Sequence, residues 1–206
     1  MRRAEFEVKD ESEFEKLLKR ANYGTLCLND KPFAYAVPVN FIYQKNAINF
    51  HGAILGRKYD LSLKNKKGSF GVVEEYSFIP SYFSGDFACY ASQYFMSAFI
   101  EGDLLHVEEN VKKARILEAL MDKYQSEGEY LSISQNLEKY IGRLDKTAVY
   151  ELNIASWSLK VKMGQNMKQA QLEDMMNKLQ ERGLQEDIST VETIKKIMLH
   201  AKNSNN

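Results

Sequence analysis

Only two cysteines, three prolines and three histidines occur among the 206 residues. Cys27 and Cys89 lie far apart, each in apolar company, so they predict reduced core thiols of an intracellular protein rather than a disulfide framework. His51, His106 and His200 share no ligand spacing with one another or with either cysteine, and no metal motif can be written from them. Net charge is also missing: 28 Lys plus Arg stand against 28 Asp plus Glu. A nucleic-acid binder usually carries a basic excess, so that class starts at a disadvantage. No apolar run approaches the ~20 residues of a membrane helix, and the basic start Met1-Arg2-Arg3 leads into no apolar stretch of a signal peptide. The expectation is a cytoplasmic chain with neither membrane nor nucleic acid as a partner. G-x-S-x-G, H-E-x-x-H, Walker A and G-x-G-x-x-G are equally absent. An enzyme with this sequence would draw its chemistry from a cofactor.

What is present is apolar and aromatic: 44% hydrophobic residues, with twelve Tyr and eleven Phe, ample for one packed domain with an appendage. Ser12-Glu13-Phe14-Glu15 reads as a capping box with Ser12 as N-cap, ahead of a helix striped by Phe14, Leu17, Leu18 and Ala21. Thr25 to Asn29 is strand-like, Asp30-Lys31-Pro32 turns the chain, and alternation predicts one strand from Phe33 to Tyr43. Lys45-Asn46 turns back into a strand from Ala47 to His51. Further strands are predicted from Ser69 to Glu74 and from roughly Gln93 to Val107, with residues 76–88 irregular between them. A helix over Glu108 to Tyr124, a second helix capped by Ser134 and a last strand from Lys146 to Met163 complete the pattern. Short connections argue for antiparallel pairing, and about six strands interrupted by helices argue for a closed or nearly closed barrel. From Gly164 the aromatics vanish. Met167, Leu172, Met175, Met176 and Leu179 stripe a helix ending at Arg182-Gly183, and another opens at Asp187 or Ser189. Residues 1–163 therefore form the barrel domain, and residues 164–206 a helical extension packed on it or on a second subunit.

Two stretches carry chemistry. Pro38 interrupts the strongest strand pattern and cannot donate to a ladder, which places that strand at an edge or gives it a bulge. Backbone groups of Val37, Val39 and Asn40 are then available to another partner. The second stretch runs Ile48-Asn49-Phe50-His51-Gly52, through Gly56, to Arg57-Lys58: a strand, a glycine-bracketed loop and a basic pair opening a helix. Helix N-termini present unpaired N–H groups and a positive dipole end, so this corner suits a phosphate. Arg adds a fork for oxygens and Lys a compact charge. The same residues also read as a solvated turn with two surface cations, and His51 as a structural histidine at a strand end.

The segments "KPFAYAVPVNFIY" and "AINFHGAILGRKYDLSLKNKKGSFGVV" resemble the core of the pyridoxamine 5′-phosphate oxidase-like FMN-binding split barrels, and within them the NimA-type 5-nitroimidazole resistance subgroup. A third family motif is matched by Phe95-Met96-Ser97-Ala98-Phe99-Ile100-Glu101-Gly102, which keeps Ser and Gly but has Phe for Tyr and Ala for Val. The resemblance spans roughly Met1 to Met163. It implies a mainly β fold with helices, an antiparallel split β-barrel with flanking helices, ahead of the C-terminal helical extension. It also implies a homodimer with FMN at the subunit interface and a small-molecule substrate. By this resemblance Arg57 and Lys58 hold the FMN phosphate, and Phe50, His51 and Gly52 lie near the phosphate and ribityl chain. His51 takes a catalytic place where it faces the substrate pocket, as in some relatives. The backbone of Val37, Pro38, Val39, Asn40 and Phe41 faces the isoalloxazine, Ser97 reaches the flavin of the partner subunit, and Trp157 stands near the ring. The implied activity is an FMN-dependent oxidoreductase passing electrons from a reduced nicotinamide to a small acceptor, with nitroaromatics as the family's candidate. The alternatives are a flavin binder without turnover, or a haem-binding or haem-degrading split barrel with His106 or His200 as axial ligand.

Overall fold

The computed structural model describes residues 3–203, with side chains as far as residue 198. An eight-stranded sheet runs β3-β2-β6-β7-β8-β5-β4, with β1 set against β8. The strands are β1 (Glu7–Val8), β2 (Tyr23–Leu28), β3 (Tyr35–Asn40), β4 (Ile42–Gln44), β5 (Ala47–Ala53), β6 (Lys67–Ile79), β7 (Ser92–His106) and β8 (Thr147–Lys162). Among the described residues six α-helices accompany them: α1 (Glu11–Arg20), α2 (Arg57–Lys64), α3 (Asn110–Tyr124), α4 (Leu137–Leu144), α5 (Gln169–Arg182) and α6 (Gln185–Asn203). The chain divides into two compact units: Asp10–Val72 with Ala98–Ser158, and Met1–Lys9 with Val73–Ser97 and Leu159–Asn206. No helix among the described residues is long and apolar enough to cross a membrane.

In the first unit the strand order itself forces curvature. β3 and β4 end the sheet on opposite sides, yet only Phe41 separates them in the chain. A flat sheet would hold those ends apart by the width of the strands between them, so the sheet must curl until they meet. The single strand predicted from Phe33 to Tyr43 is therefore two strands. At the break, Phe41 has no ladder partner and α3 supplies substitutes. Its N–H donates to Tyr124 Oη at 3.0 Å, and its carbonyl accepts from Lys123 Nζ and Tyr124 Oη, both at 3.0 Å. Lys123 also donates to the carbonyls of Ala21 at 2.6 Å and Leu18 at 3.4 Å, at the end of α1. Burial drags the Lys123 ammonium down to about 8. Lys123→Met leaves three carbonyls short of a donor and is expected to destabilise the protein by about 2–4 kcal/mol, measured by urea denaturation.

An aromatic row fills the barrel. Phe41 meets Phe70 edge-on at 5.1 Å, and Phe50 stacks on Tyr150 at 4.9 Å. All four are fully buried, each contributing about 2–3 kcal/mol through area removed from water. Lys45 and Asn46, at φ 51° and 59°, form the two-residue turn between β4 and β5 that strand twist favours. α1 covers the barrel with Phe14, Leu17 and Leu18 buried. Its N-cap is Asp10, whose carboxylate accepts from the Ser12 N–H at 2.8 Å, rather than Ser12. Glu15, expected to close the capping box, pairs instead with Lys19 at 2.9 Å. α4 likewise begins after Asn136 and not at Ser134, whose N–H is held by Glu118.

In the second unit β6 extends to Ile79, so the expected irregular stretch begins four residues later than residue 76. Polar Ser77 hid that continuation, because its partners come from one distant helix, α6. Ser77 Oγ donates to Asp187 at 2.5 Å, and its N–H donates to Thr190 Oγ1 at 2.9 Å. α5 and α6 thus dock on a strand of their own chain. α6 opens at Gln185, ahead of either predicted start, after Gly183 ends α5 in the left-handed region. The cysteines differ from expectation too: both are free, but Cys27 is half-buried and Cys89 exposed.

Candidate functional site

β5 delivers His51 and Gly52 to the loop, Gly56 turns it at φ 95°, and α2 starts with Arg57 and Lys58. No side chain caps the first turn of α2, so its leading N–H groups stay available beside two cations. Gly52 leaves room for Lys58 in this position: a Cβ there would stand 2.4 Å from Lys58 Nζ, and the flexible lysine would have to move aside. That absent carbon lets Lys58 fold back, donate to the His51 carbonyl at 3.0 Å, and lie 5.6 Å from the Tyr150 ring centre. Burial lowers the Lys58 pKa, so an anion beside it would recover charge stabilisation that the protein alone does not supply.

Arg57 is partly committed. Its Nε and Nη2 donate to Asp30 at 2.9 and 2.7 Å, and its guanidinium lies 5.0 Å from the Tyr35 ring centre. Its Nη1 has no partner among the described residues and remains for a second anion. His51 is exposed, its pKa lowered first by crowding from protein atoms and then by the Lys58 charge. Beneath the corner, the buried Tyr150 hydroxyl completes no hydrogen bond of good geometry among the described residues, with the Ser62 hydroxyl its nearest influence. Burial raises its pKa against a weaker opposing pull from Ser62.

β3 is the terminal strand beside β2, so of the edge and the bulge that its proline allows the fold takes the edge. Pro38 faces Thr25 in the register and has no N–H, so it occupies a pair whose backbone groups point away from β2. Ala36 and Asn40 share that orientation, whereas Val37 and Val39 turn their backbone groups toward β2. Of the β3 residues expected to face a ring, Val37 and Asn40 are half-buried, Pro38 is exposed and Val39 buried. Phe41 and Phe50 are core residues, and the Phe41 backbone is already bonded to α3. They shape this corner from beneath. Trp157 stacks on Phe14 at 4.4 Å, giving one ring face to α1. Ser97 lies half-buried on β7 in the second unit.

His106, a candidate axial ligand, has its Nε2 2.9 Å from Ser62 Oγ and its ring against Tyr59 and Tyr150. The side chain of His200 lies outside the described residues. Asp30, Tyr35, Ser62 and Tyr150 were not singled out from the sequence. Only the odd parity that Tyr35 shares with Val37 and Val39 pointed toward any of them.

The family model for pyridoxamine 5′-phosphate oxidase matches residues 10–161. No curated protein sequence matches significantly. Among solved structures, a candidate 5-nitroimidazole antibiotic resistance protein from Bacteroides thetaiotaomicron superposes with a TM-score of 0.60 at 18% identity, over 75% of this chain and 86% of that one. An FAD- and haem-binding protein from Mycobacterium smegmatis gives 0.62 at 17% identity, over 76% and 73%. A flavocytochrome from Azotobacter vinelandii gives 0.63 at 16%, over 76% and 69%. At such identities the likeness speaks for the fold, an antiparallel split barrel. With the family model covering three-quarters of its length, the chain belongs to the pyridoxamine 5′-phosphate oxidase family.

Proposed function

We propose that this chain is an FMN-dependent oxidoreductase, acting as a cytoplasmic homodimer and passing electrons from a reduced nicotinamide to a small nitroaromatic or related acceptor. One observation carries the reading: Arg57 and Lys58 converge with the uncapped start of α2, where Gly56 turns the loop at φ 95° and Gly52 leaves room for the Lys58 side chain. That donor set fits a phosphate dianion. Bound FMN would supply the redox chemistry. The protein's part is to grip the phosphate with Arg57 and Lys58, offer the Asn40 N–H and Pro38 carbonyl along the open edge of β3, and keep His51 at the rim. The hydrogen bond between His106 and Ser62, with aromatic rings around the imidazole, favours flavin over haem.

The absorption spectrum of the purified protein tests this. A flavin spectrum is expected, with FMN rather than FAD released on denaturation, followed by nicotinamide-dependent reduction of an acceptor panel. A Soret band, or a protein that stays colourless with added FMN, overturns the reading. Bound flavin without turnover leaves a carrier in its place.

A further inference from the structure

The second unit contains a cleft of about 370 Å³. Much of its wall lies outside the stretch that matches the family. Arg3 and Phe6 come from before residue 10, and Lys162, Gly164, Met167 and Met175 from after residue 161. The rest of its wall comes from residues 79–94, within the matched stretch, so the cleft joins that segment to residues on either side of the match.

Its chemistry is one-sided. Arg3 and Lys162 line it, no carboxylate does, and neither cation makes an ion pair among the described residues. Lys162 Nζ is held at 2.5 Å from Ser92 Oγ, a neutral partner. Burial, then the charges of Lys160 and Arg3, lower the Lys162 pKa, a cost that an anion beside it would relieve. Tyr94 adds a second, independent sign. It is 3% exposed, yet its hydroxyl finds only the Met167 thioether, at 3.6 Å, and sulfur is a weak acceptor. Gly164, at φ 79°, makes room for that hydroxyl at the cleft wall, since a Cβ there would stand 2.6 Å from Tyr94 Oη. Phe6, Ile79 and Met175 form an apolar wall, and Tyr90 a partly exposed aromatic one.

We propose that this cleft binds a small aromatic carboxylate, its oxygens taken by Lys162, Arg3 and the Tyr94 hydroxyl and its ring laid between Tyr90 and the apolar wall. The assignment is independent of the flavin site, whose cations belong to α2.

Calorimetric titration of the full chain with 2-naphthoate and its uncharged isostere 2-naphthamide, with and without added FMN, tests it. Naphthoate is expected to bind at one site at least about tenfold more tightly than the amide, the scale of one charge-assisted contact. Lys162→Gln should remove most of that preference. Arg3→Gln, at an exposed position where folding is not at risk, should weaken naphthoate about three- to tenfold. Arg57→Ala with Lys58→Ala should leave naphthoate binding unchanged. Absence of naphthoate binding, equal affinity for acid and amide, or indifference to Arg3→Gln overturns the proposal. So does loss of binding in the Arg57/Lys58 variant, which would return the ligand to the flavin corner.

Discussion

Replacing Arg57 and Lys58 together by alanine is expected to abolish FMN retention while leaving the fold intact. Hydrogen bonds to charged groups contribute about 1.5–3 kcal/mol each, so two lost at one phosphate cost about 3–6 kcal/mol, roughly 10²–10⁴-fold in affinity. The fold should tolerate the change. The Arg57 side chain is 59% exposed, and surface pairs such as Arg57 with Asp30 contribute only about 0–1 kcal/mol. Lys58 loses a single bond to the His51 carbonyl. Flavin absorbance surviving gel filtration, read beside the circular dichroism spectrum, separates loss of ligand from loss of structure. Stoichiometric FMN in the double variant would remove the phosphate assignment. A pH signature accompanies it. Burial holds the Lys58 pKa below that of an ordinary lysine, so the free protein surrenders this proton earlier as pH rises. FMN affinity should fall through that lowered pKa, and Lys58→Arg should move the fall to higher pH, because arginine keeps its proton.

The corner around Arg57 was legible in the sequence because its signals are local. An apolar strand, two glycines and a basic pair lie within about ten consecutive residues, and each follows a rule of backbone geometry or helix ends. The edge position of β3 was half legible for the same reason, since Pro38 asks for an edge or a bulge and the fold takes the edge. What stayed hidden depends on contacts distant in the chain. The break at Phe41 follows from the sheet curling back on itself, and the groups that satisfy its backbone, Lys123 and Tyr124, sit more than eighty residues away. Asp30 reads as part of a turn and Tyr35 as one of several strand aromatics until the fold brings both to Arg57. Ser77 breaks the apolar alternation of β6, and its burial makes sense only with Asp187, 110 residues later. The displaced cap of α1 is a different kind of miss. Asp10 and Ser12 are both good N-cap residues, and the motif pattern alone favoured the one whose partner proved to be engaged elsewhere.

Asp187→Ala should destabilise the second unit by about 3–5 kcal/mol, the range for removing one member of a buried ion pair. Its side chain is 1% exposed and sits in the first turn of α6. It accepts from Arg182 Nε and Nη2 at 2.9 and 2.5 Å, from Ser77 Oγ at 2.5 Å and from the Leu184 N–H at 3.1 Å. One carboxylate thus closes the α5–α6 corner and fixes it to β6, while the same guanidinium reaches the Phe78 carbonyl at 2.9 Å. Without it, Arg182 is left partly buried without its counter-charge, and the Ser77 hydroxyl keeps only Thr190 Oγ1, at 2.8 Å, as an acceptor. Hydrogen bonds, first from Arg182 and then from Ser77, hold the Asp187 pKa below the ordinary carboxylate value against the opposing effect of burial. A carboxylate whose pKa is lower folded than unfolded adds stability in full above the unfolded value of about 3.9 and loses it as pH falls through the folded one. The wild-type protein should therefore lose this contribution only below about pH 4, and Asp187→Asn should lack that part of the acid dependence while being weaker at pH 7. Urea denaturation of both proteins at pH 7 and across the acid range reads the two effects separately. Equal stability at neutral pH would show that the corner holds without its charge, and that the apolar faces of α5 and α6 alone secure them to β6.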